Sequence, residues 1–429
     1  MDNEVMKSEH NTTDNPDIQD TTHYPSNHPS VTMHSFIAIS LQSTSIGSVE
    51  TQLLTHPMVC AVVLFTRNIT SLGQLTDLVY AIRQIRPNMI LMIDQEGLDL
   101  EFTLQGIRSG VWRTFKQDNP HNPATYKPYP DFPIAPSQYT LGNIPLPQAL
   151  DSAYEAGKAI ASVLAPLGII PLSTVLDSNI HGYAPSKPPE VSNPTQQTVT
   201  DSQPGQKLSQ PNSLQISSET SRASGWVIHG IGRSFGQHIA ELAKAKLNGI
   251  HSQFQCPRVV KHWIDHGLAL DSHQCVQATD PRSASELEAY INRVWLPLKN
   301  FIDIAMTSHV IYTKSDDPHT EAGLSYSMLA KLRRYILKPT ALIISDCLGM
   351  GAIQAKGISL GQAIATASMP NKQDPDIMTD IVLVLNQEPL FYQSYLKQAN
   401  HQPSHQCSER LSLWQQWSMA STTQPVRQI

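Results

Sequence analysis

No run of about 20 consecutive apolar residues, the length a bilayer-spanning helix requires, occurs in this 429-residue chain. No membrane partner is therefore expected. Cysteine is scarce: Cys60, Cys256, Cys275, Cys347 and Cys407 are odd in number and share no framework spacing. That argues against a disulfide scaffold and for reduced thiols. Charge is thin, with 30 Lys and Arg against 36 Asp and Glu and a formal net charge of -6. No basic face for nucleic acid follows from it. Glycine numbers only 21, and no Gly-rich turn follows the first apolar run, which weakens a dinucleotide-binding reading. The opening residues, MDNEVMKSEHNTTDNPDIQD, hold neither a basic nor an apolar signal region. A secretory leader is not expected, and a cytoplasmic location is.

What the chain does have is alternation between apolar runs and amphipathic stretches. Val59–Phe65 and Met89–Ile93 are continuous apolar runs, as in strands buried on both faces. Between them, Leu75, Leu78, Val79, Ile82 and Ile85 form one helical stripe, with Ser71 as N-cap and Pro87 as stop. The pattern repeats, with helices expected over about 147–165, 236–250, 284–299, 325–337 and 358–368. Eight strands follow, near positions 36, 60, 90, 170, 260, 305, 343 and 382. This predicts an α/β fold, a single (β/α)8 TIM barrel with disordered insertions; an open doubly wound sheet is the alternative. Residues 1–33 read as a disordered polar tail, 34–399 as the barrel domain, 178–223 as a low-complexity insertion and 400–429 as a C-terminal tail carrying the motif LSLWQQW.

Parallel barrels gather their reactive groups at the carboxyl ends of the strands. Here those positions hold Asp94 and Glu96, Asp177, Lys261 and His262, His309 and Asp346. Asp271 and His273 follow on the loop after the fifth strand, where Lys261, His262, His266, Asp271 and His273 lie within thirteen residues. Taken singly, each is a polar cap on a strand end; jointly they point to chemistry. One option is metal-assisted hydrolysis, since His262 and His266 are four apart. The segment reads as a strand, however, where that spacing does not create a helical ligand face, and no metal or other cofactor is expected. The other option is glycoside hydrolysis, which needs a carboxylate nucleophile and a proton donor on either side of an anomeric carbon. Asp346 suits the first role, and an Asp271–His273 pair the second.

Seven segments carry a family resemblance: HPMVCAVVLFTRN (56–68), LMIDQEG (91–97), TVLDS (174–178), IGRSFG (231–236), VKHWIDHGLALDSH (260–273), TSHVIY (307–312) and IISDCLGMGAI (343–353). In this order, across most of residues 36–386, the chain resembles the bacterial β-N-acetylhexosaminidases of glycoside hydrolase family 3. The spaced KH, HG and DSH elements are specific to that branch. The resemblance implies a single (β/α)8 barrel and a retaining mechanism. It makes Asp346 the nucleophile, His273 the acid and base, and Asp271 the group that orients it. It gives Asp94 a grip on sugar hydroxyls, and Arg233, Lys261 and His262 the binding of the N-acetylglucosamine unit. The implied substrate is N-acetylglucosamine β-linked to anhydro-N-acetylmuramic acid, from recycled cell-wall muropeptides. A monomer is expected, with that small carbohydrate or muropeptide as its partner.

The chain departs from the family pattern in the first strand, which lacks the usual Asp, in TVLDS, which replaces a more Pro-rich version, and at two further places. The fifth-strand loop normally reads KHFPGHG; Ile264 and Asp265 replace its Pro and Gly, adding a charge expected to raise the pKa of His273. After DQEG the family continues with Gly-Arg and a further Arg, whereas here Asp99 and Phe102 stand at the Arg positions, leaving Arg108 or Arg113 as substitutes. A catalytically weakened sugar binder and a glycosidase of altered sugar preference therefore remain as alternatives.

Overall fold

The computed structural model describes residues 32–97, 113–114, 127–128, 135–178, 235–269, 272, 277–372 and 374–422. The 178–223 tract lies almost wholly outside them, as do the altered positions 98–102 and, at the site, Arg233, Asp271 and His273.

Nine strands form one parallel sheet: β1 (Phe36–Ser40), β2 (Val59–Leu64), β3 (Ile90–Ile93), β4 (Ile169–Pro171), β5 (Thr174–Val175), β6 (Val259–Trp263), β7 (Ile304–Thr307), β8 (Leu342–Ile344) and β9 (Ile381–Leu383). Their order is β4-β3-β2-β1-β9-β8-β7-β6-β5. The numbering steps evenly around this order, with no reversal point of the kind a doubly wound sheet contains. Each expected strand is present, and the one near 170 is split by Leu172 and Ser173 into β4 and β5. The split lets one stretch of chain serve two neighbours. Leu172 N donates to Ile93 O on one side, and Leu176 N donates to Lys261 O on the other.

The strands are mostly apolar because both faces are buried. Alternate side chains point to opposite faces. Ala38, Val63, Met92, Ile304, Ile344 and Leu383 enter one cluster, while Ile39, Val62, Leu91, Ala305, Ile343 and Val382 enter a second, packed under the helices. The longer helices are α1 (Ser48–Thr55), α2 (Leu72–Ile85), α3 (Leu146–Leu164), α4 (Ile239–His251), α5 (Ala284–Tyr290), α6 (Tyr326–Lys331), α7 (Leu360–Ala367), α8 (Pro389–Gln398) and α9 (His405–Thr422). Ser71 Oγ accepts from Gln74 N, as the N-cap reading of α2 requires. The single helix expected over 284–299 instead changes hydrogen-bond register, passing from α5 through a π segment (Ile291–Trp295) into a 3-10 segment (Leu296–Phe301). Pro297 has no N–H to continue an α-helical ladder there.

Helix α9 closes the amino end of the sheet. Its Cys407 and Leu411 join the inner cluster with Trp414 and Trp417 against it. Arg410 pairs with Asp380, just before β9, at 2.6 Å. Ser418 Oγ donates to Gly168 O, just before β4. Thr32 and Met33, assigned from sequence to the polar tail, instead pair with Asn400 and His401. Met33 is fully buried, and that burial draws the segment in. No helix among the described residues is long and apolar enough to cross a membrane.

Candidate functional site

The alternation that fills the sheet interior also aims the site residues. Asp94 lies two beyond Met92, Lys261 two beyond Val259 and Asp346 two beyond Ile344, so each continues the inner face where its strand ends. They meet at one end of the sheet although they are far apart in sequence.

Lys261 Nζ stands 2.7 Å from Asp94 Oδ1 and 2.8 Å from Glu96 Oε1. The lysine and Glu96 are buried, whereas the Asp94 side chain is 43 % exposed. One cation thus bridges two carboxylates from the segment after β3. Next to this pair, His262 Nδ1 donates to Asp177 Oδ2 at 2.9 Å. Asp177, fully buried at the end of β5, also accepts from the backbone N of His262 and of His266 through Oδ1. Asp177 therefore fixes both the ring orientation and the tautomer of His262. The other ring nitrogen, Nε2, points to Asp346 Oδ2 at 4.0 Å.

Asp346 follows β8 and is 8 % exposed. Its Oδ1 accepts from Cys347 N at 2.7 Å. The turn that carries it is held on two sides: Leu348 N donates to Leu383 O, and His309 Nε2 donates to Cys347 O at 2.9 Å. Burial pushes the Cys347 thiol up to about 11, so it is not a nucleophile near neutral pH. His309, a strand-end base in the sequence, is thus a brace for the Asp346 turn.

Asp94, Lys261, His262 and Asp346 are brought together; Arg233, Asp271 and His273 lie outside the described residues. Ser272, between the last two in sequence, is described. It is buried, its carbonyl accepts from Ala352 N at 3.0 Å, and its Oγ lies 4.0 Å from Met350 Sδ. Those partners follow Asp346 by four and six residues.

The substituted loop also acquires a partner. Asp265 is fully buried and pairs with Arg282 Nη1 at 2.9 Å, while Ser178 N and Gly267 N donate to its Oδ1. Burial raises its pKa, opposed by Arg282. Arg282 in turn pairs with Asp280 at 2.6 Å. The added carboxylate is thus held in a structural ion pair; the expected effect on His273 lies outside the described residues.

One site-adjacent group escaped the sequence reading. Lys246, on α4, has no exposed surface, and its ammonium donates to Glu96 O at 2.7 Å, Ser173 O at 2.7 Å and Gln138 Oε1 at 3.2 Å. Burial lowers its pKa to about 7. The signal was present: Lys246 sits seven after Ile239, on the apolar stripe of its helix. Among the described residues, no group of three or more His, Cys, Asp or Glu is disposed to hold a metal ion. His262 and His266 instead pack edge to face, 5.0 Å between ring centroids.

No family model matches the sequence. It is 26 % identical over 362 residues to a β-hexosaminidase of Shewanella frigidimarina, covering 82 % of each chain. It is 25 % identical over 328 residues to a β-hexosaminidase of Pseudomonas aeruginosa, covering 76 % of this chain and 77 % of that one. Two solved structures share the fold at 20 % identity, each over 92 % of this chain. One is NagZ of Neisseria gonorrhoeae in complex with N-trifluoroacetyl-D-glucosamine, with a TM-score of 0.58 and all of that chain covered. The other is a family 3 β-N-acetylglucosaminidase of Paenibacillus sp., with a TM-score of 0.62 and 63 % of that chain covered, so this chain spans under two thirds of it. With those relatives matching three quarters or more of its length and the site groups gathered at one end of the sheet, the chain is similar to bacterial β-hexosaminidases, and it is a glycoside hydrolase.

Proposed function

We propose that the protein is a retaining β-N-acetylhexosaminidase that releases terminal N-acetylglucosamine, built on a closed (β/α)8 barrel. Closure is supported by the two ends of the strand order, β4 and β5, which are separated only by Leu172 and Ser173. A sheet whose first and last strands are consecutive pieces of one chain has its edges together.

The observation that carries the catalytic reading is the setting of Asp346. Its carboxylate is nearly buried at a strand end, with the His262 ring 4.0 Å away on one side and its turn braced by His309 on the other. A carboxylate held this way attacks the anomeric carbon and forms a glycosyl-enzyme. Asp94, half exposed beside Lys261, accepts hydrogen bonds from sugar hydroxyls, and Arg233, Lys261 and His262 complete the binding of the N-acetylglucosamine ring. His273 protonates the departing oxygen, then removes a proton from the water that releases the sugar. Asp271 orients the imidazole and stabilises its charged form. The anchoring of Ser272 to Ala352 supports this assignment, because Ser272 lies between the two in sequence and Ala352 follows the nucleophile by six residues.

The natural substrate in this reading is N-acetylglucosamine β-linked to anhydro-N-acetylmuramic acid, cleaved by a monomer in the cytoplasm during cell-wall recycling. Turnover of a chromogenic N-acetyl-β-glucosaminide by the wild type, and its loss in Asp346→Ala, tests the activity. Product of β configuration, read by proton NMR before mutarotation, tests retention. Binding without turnover overturns the catalytic reading, and hydrolysis of the β-glucoside in preference overturns the sugar assignment.

A further inference from the structure

Lys246 belongs neither to the hydrolytic chemistry nor to ordinary packing. It reaches from the helix layer to the carboxyl ends of the strands, and among the described residues it bonds to no carboxylate there. Its three acceptors are two backbone carbonyls and one side-chain amide oxygen, all neutral. An ammonium placed in this way costs desolvation energy that a Leu or Met would not, so the contacts it makes are where its effect is to be sought.

Those contacts converge on the sugar-facing ion pair. Glu96 gives its carbonyl to Lys246 and its carboxylate to Lys261 at 2.8 Å, and Lys261 holds Asp94 at 2.7 Å. Ser173 lies in the break between β4 and β5. Gln138, the third acceptor, is itself tied to β5: Val175 N donates to its Oε1, and its Nε2 donates to Val175 O. One ammonium therefore pins the segment after β3, the break in the fourth strand and the Gln138 helix (Gln138–Gly142) to each other.

We infer that Lys246 is a positioning residue for sugar binding: by fixing the Glu96 backbone against Ser173 and Gln138, it sets where Lys261 and Asp94 stand. The inference rests on the reading of Asp94 and Lys261 as the sugar grip. Lys246 touches no substrate. Asp94 and Lys261 hold the sugar in ground state and transition state alike, so their displacement weakens affinity more than it slows chemistry.

The test compares wild type with Lys246→Met, which keeps the length and apolar stem, and with Lys246→Gln, which keeps a single donor group. Three quantities are read: N-acetylglucosamine affinity by calorimetry, kcat and KM on a chromogenic N-acetyl-β-glucosaminide, and the crystal structure of each variant. Loss of the charged donor is expected to weaken sugar affinity and raise KM roughly tenfold in Lys246→Met. We expect kcat to stay within about twofold and Lys246→Gln to fall between the two. A folded variant with wild-type affinity, KM and Asp94–Lys261 geometry overturns the inference, as does a fall in kcat at constant KM. If the wild type neither binds nor cleaves the sugar, the functional reading fails by itself. The crystal structures then decide the positioning role: an unchanged Glu96–Lys261–Asp94 arrangement without Lys246 refutes it, and a displaced one upholds it.

Discussion

His262 Nε2 lies 4.0 Å from Asp346 Oδ2, and the ring is held there by Asp177 on its far side. The imidazole thus acts as a spacer between a buried structural carboxylate and the one assigned to attack. Asp177, buried behind the ring, determines where His262 points.

Replacing Asp177 by Ala should therefore lower catalysis without removing a reacting group. The variant loses one charge-assisted hydrogen bond to the ring and two backbone contacts. A charged hydrogen bond is worth about 1.5–3 kcal/mol, so kcat/KM should fall roughly 10- to 100-fold. Steady-state kinetics on a folded variant checks it, and an unchanged kcat/KM would contradict the orienting role.

Arg282 is the only cation bonded to Asp265 and Asp280 among the described residues, and both carboxylates are fully buried. Arg282→Met would leave two buried carboxylates facing each other across an apolar side chain. Stability should fall by about 3–5 kcal/mol, the usual consequence of removing one member of a buried pair. Denaturant unfolding measures this. In the double variant with Asp265→Gly, part of the loss should return, since one stranded charge is gone.

Lys246 carries a pH signature as well. Its amine has an ordinary value near 10.5 and a folded value of about 7; desolvation dominates, with Glu96 and Asp94 opposing and Lys261 reinforcing. Between those values the unfolded chain binds the proton and the folded protein does not, so this group makes stability rise as pH increases from about 7 towards 10.5. Below pH 7 both states are protonated and the full cost of burying the charge remains. Lys246→Met should lack the increment between pH 7 and 9. Parallel unfolding curves for the two proteins over that range would refute it.

The α3–α4 pair offers a packing test beside the same lysine. A Cβ on Gly249 would lie 1.9 Å from Tyr154 O, and one on Gly157 would lie 2.1 Å from Lys246 O. Both contacts are with backbone, so neither can be relieved by turning a side chain. Gly249→Ala should cost about 1–3 kcal/mol of stability by pushing the helices apart. A melting temperature equal to wild type would show that the pair separates freely.

The strands were legible because their signal is local. Runs such as Val59–Leu64 are apolar at every position, and that occurs where both faces are covered. Ser71 as a cap and the stripe of α2 needed only neighbouring residues to be read. The cluster of Asp94, Lys261, His262 and Asp346 was legible at one remove, because strand ends in a parallel α/β fold converge.

Other features depend on chain segments that meet only after folding. Lys261 and Asp94 are 167 residues apart, and no local pattern states that one bridges to the other and to Glu96. Asp265 reads in sequence as a new charge beside a catalytic loop; only the arrival of Arg282 turns it into half of a buried pair. Lys246 reads as an irregularity in an apolar stripe until Ser173, Glu96 and Gln138 supply acceptors from three other segments. The amino-acid order by itself determined the elements, since periodicity and burial act between near neighbours. Tertiary structure alone decided which charges neutralise which, because electrostatic energy depends on distance through space and not along the chain.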